Sequence, residues 1–297
     1  MSPSVDKVGY WRNGRMEYKA SEMTAKYLRS RKIPSTACSG CGLGMNHKIV
    51  VQAIAELNIE VADVVWGTSI GCAGRQTFAT WKGDGFAGTH GRVYAIARGL
   101  RIALAPEKKI ILTVGDGDAF GIGLMHLIHA ARSNADMTVI VNDNLGYQST
   151  GGQYGWTTPQ GSHTDSSPYG MFEHNLMSDG MDVMHILKGA GATFLARHVA
   201  MDGAVAVETV KKAILNKGFS LVHMPYPCPT NFASRELGSR NQVNMYRWIQ
   251  DQAKPLGQED ENTVWATGIW HDASNSRPEF SEFIHMTLEK IRRTGSS

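Results

Sequence analysis

Two apolar runs, each followed by a polar, glycine-containing turn, constrain the fold of this chain more than any other feature. Ile110–Val114 is typical of a buried strand and is followed directly by GDGDAF at 115–120. Met137–Val141 is a second such run and is followed by NDNLGY at 142–147. Because Ile122–Arg132 between them has helical periodicity, the sequence predicts a βαβ unit with two parallel strands.

Strands and helices are predicted to alternate in the rest of the chain as well. Helical patterns lie at 46–57, 91–104, 181–190 and 203–216, and strand-like runs lie at 61–66, 193–199 and 220–224. Such alternation is typical of an α/β fold with a doubly wound, mostly parallel sheet. Gly99 is predicted to be a close-packing point within its helix.

The pattern along the chain also suggests its domain organisation. We expect an N-terminal extension at 1–37, one main domain at 38–235, and a more polar C-terminal tail at 236–297 that packs on the domain or on a partner subunit. Residues 142–170 are rich in Gly, Thr, Ser and Pro but include aromatic side chains. Long segments of this kind in compact domains are usually functional, so we predict an ordered binding loop.

Charge and hydropathy argue against several classes of protein. The net charge of +3 and the lack of a dense Lys/Arg run argue against nucleic-acid binding. No apolar run reaches the length of about 18 residues that indicates a membrane-spanning helix. The N-terminal MSPSVDKVGYWRNGRM has no apolar signal-peptide core, so we expect a cytoplasmic protein, in which disulfides are rare.

The two turns are predicted to form a cation and phosphate site. Ligands of open α/β sheets bind beyond the carboxyl ends of the strands, where both turns lie. Asn144 stands 28 residues after Asp116, which fits one βαβ unit. Carboxylate, amide and main-chain oxygens suit Mg²⁺, and Gly117 lets a diphosphate approach the helix N-terminus that follows. A plain Asp-Gly turn explains GDG alone, but the second loop favours ligand binding.

GDG followed at this distance by an Asn-containing pair resembles the thiamine diphosphate and Mg²⁺ motif. The resemblance implies that Asp116, the Asn144 side chain and the Gly146 carbonyl bind Mg²⁺. Asp143 stands where many relatives have the first Asn of the pair. Because that position is not an expected ligand, the departure is predicted to matter little.

The four cysteines form a second predicted metal centre. Cys38 and Cys41 have CxxC spacing in CSGCG, whereas Cys72 and Cys228 are single and lie in GCAG and PCPT. Four thiolates suit either Zn²⁺ or a [4Fe–4S] cluster. One knuckle joined by two distant cysteines is less like a zinc ribbon than like an iron–sulfur cluster enclosed by a fold. Four unrelated buried cysteines are the simpler alternative.

The order of these motifs resembles the β subunit of 2-oxoacid:ferredoxin oxidoreductases. CSGCG, GIGCAGR, THGR, GDGD, DNLGYQSTGGQ with TTP, and PCPT follow one another over about residues 38–230. The resemblance implies a thiamine diphosphate-binding (PP-type) fold. It also implies that Cys38, Cys41, Cys72 and Cys228 hold one [4Fe–4S] cluster close to the thiamine.

The same resemblance implies roles for individual residues. Arg75 matches a basic position near the substrate carboxylate, although a surface or diphosphate-facing arginine is an equal alternative. His90 in THGR matches a histidine near the cofactor. Contacts with thiamine diphosphate are implied for Ile70, Gly71, Cys72, Ala73, Gly117, Asp118, Gln148 and Ser149.

Three other histidines and one threonine pair are left with two interpretations each. His126 and His129 have i, i+3 spacing that could hold a metal, but packing of their helix is the favoured explanation. The TTP segment at 157–159 and His163 could shape the pocket or contact a partner.

The activity implied by the resemblance is oxidative decarboxylation of a 2-oxoacid through a thiamine adduct. Electrons would pass to the [4Fe–4S] cluster and on to ferredoxin or a similar acceptor, and coenzyme A would usually take the acyl group. The pyrimidine domain would come from an α subunit, with γ and δ subunits or fused equivalents completing a hetero-oligomer. The motifs do not choose among pyruvate, 2-oxoglutarate, branched-chain, aryl and oxalate variants.

Two other classes of function stay open. A non-redox thiamine diphosphate-dependent 2-oxoacid decarboxylase subunit would share the GDG and Asn-containing loops but would not need four cysteines. A zinc-stabilised interaction module would use the cysteines without catalysis.

Overall fold

The computed structural model describes residues 10–12, 15–17, 21–29, 36–170 and 181–294. Most of the predicted N-terminal extension lies outside these residues. Within it, strands β1 (Tyr10–Arg12) and β2 (Arg15–Glu17) pair antiparallel, and helix α1 (Glu22–Tyr27) follows.

One eight-stranded sheet organises the main part of the chain. Its strands are β3 (Val64–Thr68), β4 (Gly85–Ala87), β5 (Lys109–Gly115), β6 (Met137–Asp143), β7 (Phe194–Arg197), β8 (Phe219–Pro225), β9 (Ala253–Pro255) and β10 (Trp265–Asp272). Their order is β4-β3-β5-β6-β8-β7-β10-β9. All neighbouring pairs are parallel except β7 and β10, so the predicted doubly wound, mostly parallel α/β fold is confirmed.

Helices cover both faces of the sheet. They are α2 (Leu43–Glu56), α3 (Cys72–Thr80), α4 (Val93–Ala103), α5 (Leu124–Arg132), α6 (Val183–Ala190), α7 (Gly203–Leu215), α8 (Phe232–Glu236), α9 (Gln242–Gln252) and α10 (Phe280–Thr294). Side chains of β5 alternate between two apolar clusters. Leu112 packs with α4, α5 and α6 on one face, and Ile111 packs with α2 and α7 on the other. A strand buried on both faces explains why the apolar run was continuous.

Two sequence predictions differ from the structure, one about the start of a strand and one about the packing of a glycine. The predicted strand at 61–66 is a short 3₁₀ turn, Val61–Asp63, followed by β3 from Val64. Gly99 is not a close-packing point, because a Cβ built there meets no described atom within 4 Å.

The described part of the C-terminal tail packs on this chain. Strand β10 pairs with β7, with Gly268 opposite Arg197, and β9 pairs with β10. Asn134 Nδ2 donates to the carbonyl of Pro278 at 3.2 Å, which holds the start of α10 near α5. The sheet therefore continues past the predicted boundary at residue 235. Among the helices that the structure describes, none combines the length and apolar character needed to cross a bilayer.

A buried histidine on α2 makes the fold sensitive to acid. His47 is 6% exposed, its Nε2 lies 3.0 Å from Thr80 Oγ1, and its ring packs near Trp66. Burial lowers the pKa of His47 from 6.5 to about 4. The unfolded chain therefore binds a proton between these values that the folded chain does not, so the stabilisation is complete above pH 6.5 and is lost as the pH falls to about 4.

We expect this one group to account for about 3 kcal/mol of acid destabilisation. Between pH 7 and pH 4, the free energy of unfolding of the original chain should fall about 3 kcal/mol further than that of a His47→Gln variant. Denaturant titrations at both pH values measure the difference, and His129→Gln, at an exposed position, serves as the control. Parallel losses in the His47→Gln variant and the original chain would show that His47 is not responsible.

Candidate cofactor and metal site

The two predicted loops lie side by side because β5 and β6 are adjacent parallel strands. Asp116 follows the end of β5 and precedes a single π-helical turn, Gly117–Ile122. Such turns occur often at functional sites. Tyr147 of the second loop lies against this turn, since a Cβ built on Gly117 would be 2.3 Å from Tyr147 Cε1. The sequence GDG thus permits a contact between the loops that a larger residue would block.

Three oxygen atoms converge where the two loops meet. The Asn144 side-chain oxygen lies 3.1 Å from Asp116 Oδ1 and 2.8 Å from the Gly146 carbonyl oxygen, while Asn144 Nδ2 is 3.1 Å from Tyr226 Oη. Adjacent ligands of an octahedral Mg²⁺ at about 2.1 Å are about 3 Å apart. The donor set and its spacing therefore fit Mg²⁺. If the Asn144 amide were turned over, its nitrogen would donate to both oxygens.

Hydrogen bonds hold this oxygen set in place. Asp116 Oδ2 accepts from Gly146 N and from Thr157 Oγ1, both at 2.8 Å. Thr158 Oγ1 donates to the Leu145 carbonyl at 2.9 Å. The TTP segment thus packs on the second of the two loops at 115–120 and 142–147, which are called the cation loops below.

The site concentrates negative charge in a buried position. The pKa of Asp116 is raised to about 8, because burial and the nearby Asp143 carboxylate together outweigh the hydrogen bonds donated by Thr157 and the Gly146 N–H. A divalent cation bound to Asp116 would favour its ionised form.

The Asp118 carboxylate points to a different partner from the one expected. Its Oδ1 accepts hydrogen bonds from Ser69 Oγ at 2.5 Å, His90 Nδ1 at 2.6 Å and Gly91 N at 2.7 Å. Asp118 is buried, whereas the His90 side chain is 36% exposed. The carboxylate therefore orients the His90 ring, and any contact of Asp118 with a diphosphate is left to its main chain.

Two other predicted contact segments face each other. Gly71, with φ +110°, precedes α3, and a Cβ built on it would lie 3.8 Å from Ser149 Oγ. Ile70 is 53% exposed at this edge. Gln148 is buried and donates from Nε2 to the Leu145 carbonyl, while its Oε1 has no hydrogen-bond partner among the described residues. An orphaned buried oxygen next to the cation loop fits a ligand that supplies a donor.

The four cysteines interact electrostatically in the structure. Cys41 and Cys72 pack in an apolar cluster with Leu43, Ala73 and Tyr226. The pKa of the Cys41 thiol is raised to about 12, mainly by burial and to a smaller extent by the charges of the three other cysteines. Cys228 is buried, and Cys38 is exposed, with its sulfur 3.5 Å from Thr230 Oγ1. In the described part of the chain, no three His, Cys, Asp or Glu side chains are close enough together to hold one metal ion, so only their mutual electrostatic interaction groups these four cysteines.

Tyr226 lies between the two centres and was not anticipated from the sequence. Its hydroxyl contacts Asn144 at 3.1 Å, and its ring packs in the same cluster as Cys41 and Cys72. Burial raises its pKa, and the charges of Cys41, Cys72 and Asp116 add to that rise. The only signal in the sequence was its position two residues before Cys228.

The remaining predicted residues divide by location. Arg75 is exposed on α3 and close enough to Cys72 for its charge to lower the pKa of that thiol against the larger effect of burial. His126 is half-buried and His129 is exposed on α5. His163 pairs with Glu236 through its ring at 3.3 Å, so it fastens the long loop to α8.

We expect Gly117→Ala to weaken binding of Mg²⁺ and thiamine diphosphate by about 10-fold or more, because the added methyl group would displace Tyr147 and the turn. Gly99→Ala is the matched control, since its methyl group meets open space and should stabilise α4 by about 0.5–1 kcal/mol. Calorimetric titration measures the affinities, and thermal unfolding measures the stability. Unchanged affinities in Gly117→Ala would show that the contact with Tyr147 is not needed.

The parallel sheet and the two loops define a thiamine diphosphate-type domain, and comparison with known proteins agrees. Residues 65–224 match the family model described as thiamine pyrophosphate enzyme, C-terminal TPP binding domain. The predicted thiamine diphosphate-binding fold is therefore confirmed.

Similarity to individual proteins then identifies the family. The chain is 35% identical over 273 residues to the 2-oxoglutarate synthase subunit KorB of Methanocaldococcus jannaschii, covering 90% of this chain and 97% of that one. It is 37% identical over 194 residues to the 2-oxoacid:ferredoxin oxidoreductase subunit beta of Saccharolobus solfataricus, covering 65% and 62%. The chain belongs to the family of 2-oxoacid:ferredoxin oxidoreductase β subunits, as the motif order predicted.

A solved structure supports the same assignment. The chain resembles 2-oxoglutarate:ferredoxin oxidoreductase from Magnetococcus marinus with 2-oxoglutarate, coenzyme A and succinyl-CoA bound, with a TM-score of 0.77 and 26% identity. The match covers 90% of each chain.

Proposed function

We propose that this chain is the β subunit that binds thiamine diphosphate, Mg²⁺ and a [4Fe–4S] cluster in a 2-oxoacid:ferredoxin oxidoreductase complex. The complex oxidatively decarboxylates a 2-oxoacid, passes electrons to ferredoxin or a similar acceptor, and transfers the acyl group to coenzyme A. The main observation behind this proposal is the convergence of the Asp116, Asn144 and Gly146 oxygens at octahedral spacing.

The residues of the two loops hold and orient the cofactor. Asp116, Asn144 and Gly146 would hold Mg²⁺ through their oxygen atoms. Ser149 lies opposite Gly71, so Gln148 and Ser149 on one side and the Ile70–Ala73 segment on the other would hold thiamine diphosphate. When bound, thiamine diphosphate supplies the carbanion-stabilising chemistry that decarboxylation of a 2-oxoacid needs.

Two side chains at the site suit the substrate. The Arg75 guanidinium is exposed on α3 and can bind a carboxylate in a bidentate manner. His90 is held by the buried Asp118 carboxylate, which fixes its ring orientation. We assign Arg75 to the substrate carboxylate and His90 to the reacting end of the pocket.

The four cysteines favour a redox enzyme over a non-redox decarboxylase. Cys41 and Cys72 pack beside Tyr226, which contacts Asn144, and the charges of all four cysteines interact. A [4Fe–4S] cluster held there would supply one-electron transfer next to the thiamine. A decarboxylase without electron transfer would have no use for thiols in this position.

A partner subunit completes the site. The pyrimidine domain comes from an α subunit, with γ and δ subunits or fused equivalents in the full complex. Exposed apolar side chains lie on the segments next to the cofactor loops, namely Ile70, Phe78, Ile122 and Met125. A partner that covers this edge would bury them.

Anaerobic purification of the intact complex and a screen of 2-oxoacids for reduction of a viologen dye test the proposal. We expect iron and thiamine diphosphate in the complex, dye reduction with at least one oxoacid, and no turnover by the isolated chain. Because several relatives are named for 2-oxoglutarate, that acid is the first to test. Decarboxylation without dye reduction or iron would favour the non-redox alternative, and zinc without thiamine diphosphate would favour an interaction module.

A further inference from the structure

Three buried polar residues form a row across the carboxyl ends of β6, β8 and β7. Asp143, His223 and Arg197 are 0%, 3% and 9% exposed. Arg197 stands opposite His223 in the register of β7 and β8. None of them belongs to the predicted cofactor contacts, so their burial calls for another explanation.

The hydrogen bonds in this row have a fixed direction. Arg197 Nε lies 2.9 Å from His223 Nδ1, and His223 Nε2 lies 2.8 Å from Asp143 Oδ2. Because a guanidinium can only donate, His223 Nδ1 must accept, and the ring must carry its proton on Nε2. His223 is therefore held as one neutral tautomer that donates to Asp143.

The other oxygen of Asp143 fixes the cation loop. Asp143 Oδ1 accepts from Leu145 N at 2.8 Å. Leu145 is fully buried and has φ +66°, a conformation that costs energy for a residue other than glycine. The bond from its N–H to Asp143 stabilises this turn, in which the Asn144 side-chain oxygen lies 3.1 Å from Asp116 Oδ1 and 2.8 Å from the Gly146 carbonyl oxygen.

The Arg197 end of the row reaches the C-terminal tail, and its middle residue, His223, contacts the GDGDAF segment. The Arg197 guanidinium lies over the Trp270 ring at 5.1 Å, and Trp270 belongs to β10. Phe120 of the π-helical turn packs edge-on against the His223 ring at 5.4 Å. The row thus connects the tail with both cation loops.

We propose that Arg197 and His223 are positioning residues that act through Asp143 to hold Asn144 and Gly146 in the geometry that binds Mg²⁺. This inference rests on the proposed function, because it concerns the same cation site. It also gives a structural role to Asp143, which stands where many relatives have Asn. An ionised carboxylate accepts from both Leu145 and His223, which an amide cannot do.

The fixed direction predicts which variants are tolerated. In Asp143→Asn, an amide oxygen that keeps the Leu145 N–H turns its NH₂ toward the donor Nε2 of His223. In the other tautomer of His223, Nε2 could accept from this NH₂ group. Nδ1 would then carry a hydrogen and face the Arg197 Nε–H, which is also a donor. Arg197→Gln places an amide where Nε stood, and this amide can either donate to Nδ1 or accept from it. The double variant can therefore reverse every hydrogen bond in the row.

The proposed action of Arg197 and His223 through Asp143, called the relay below, can be tested by calorimetry. The intact complex is treated with a chelator and then titrated with Mg²⁺ in excess thiamine diphosphate. We expect Asp143→Asn to raise the Mg²⁺ Kd by about 10- to 100-fold, Arg197→Gln to leave it nearly unchanged, and the double variant to recover most of the loss. Recovery by a second substitution is a result that a simple loss of structure would not give.

Four outcomes would overturn this proposal or the proposed function on which it rests. If the original complex binds Mg²⁺ but Asp143→Asn binds it equally well, or if the double variant is no better than Asp143→Asn, the relay is wrong and the proposed function stands. If the original complex itself binds no Mg²⁺ with thiamine diphosphate, the proposed function fails. Should Asp143→Asn not fold, Arg197→Met, which removes the donor, is compared with Arg197→Gln, and equal affinities would contradict the relay.

Discussion

Replacing Asp116 by Ala is expected to abolish binding of Mg²⁺ and thiamine diphosphate while leaving the iron content unchanged. The variant loses one of the three convergent oxygens. It also loses the acceptor for Gly146 N and Thr157 Oγ1, so the second loop loses its anchors at the same time. The loss in Mg²⁺ affinity should exceed the roughly 100-fold that outer-sphere changes cause.

Asp165→Ala is the matched control for this substitution. Asp165 lies in the same long loop, but its carboxylate is exposed and pairs with Arg235 at 3.3 Å, an arrangement that contributes little. Calorimetric titration, together with iron and thiamine analysis of both variants, separates the two metal centres. An Asp116→Ala protein that retains thiamine diphosphate at the original affinity would mean that the GDG loop is structural.

The meeting of the two loops could be predicted because it depends on patterns that are local in the sequence. Apolar runs identify β5 and β6, and a helix of fixed length between parallel strands brings their carboxyl ends together. The partners that hold the loops were not predictable in the same way. Tyr226 and His223 reach the site from segments far along the chain, and their contacts depend on how those segments pack.

Asp118 and Asp143 show that the partners of a single side chain were also not predictable from the sequence. Both lie in recognisable motifs, and motif position assigned one to the diphosphate and gave the other no role. The Asp118 carboxylate is instead bound to Ser69, His90 and Gly91. Asp143 is bound to His223 and Leu145. A motif specifies where the main chain goes, whereas the direction of a buried carboxylate depends on which donors the fold places around it.

The C-terminal tail was predicted only in outline. Strand β10 includes Gly268 with φ +124° and an irregular register between Ile269 and His271, so it lacks the regular alternation that indicates a strand. Its antiparallel pairing with β7 depends on a free edge of the sheet, which no local pattern reveals. The tail nevertheless reaches the interior, because Trp270 lies over Arg197.

Replacing Cys228 by Ala should have the opposite effect to the loss of Asp116. We expect loss of the iron–sulfur chromophore and of ferredoxin or dye reduction, with binding of Mg²⁺ and thiamine diphosphate retained. Cys228 is only 7% exposed, so water and external thiols have little access to replace its sulfur as a ligand. The chain has no fifth cysteine that could substitute.

Thr230→Val is the control that keeps all four thiols. It removes the hydroxyl that lies 3.5 Å from Cys38 Sγ, so it should shift the reduction potential of the cluster without loss of iron, because hydrogen bonds to cluster sulfurs tune that potential. Iron analysis, visible absorption and electron paramagnetic resonance of the reduced protein measure these effects. Full iron content in Cys228→Ala would remove Cys228 from the ligand set. Loss of thiamine diphosphate together with iron would instead mean that Tyr226 couples the two centres so tightly that neither forms without the other.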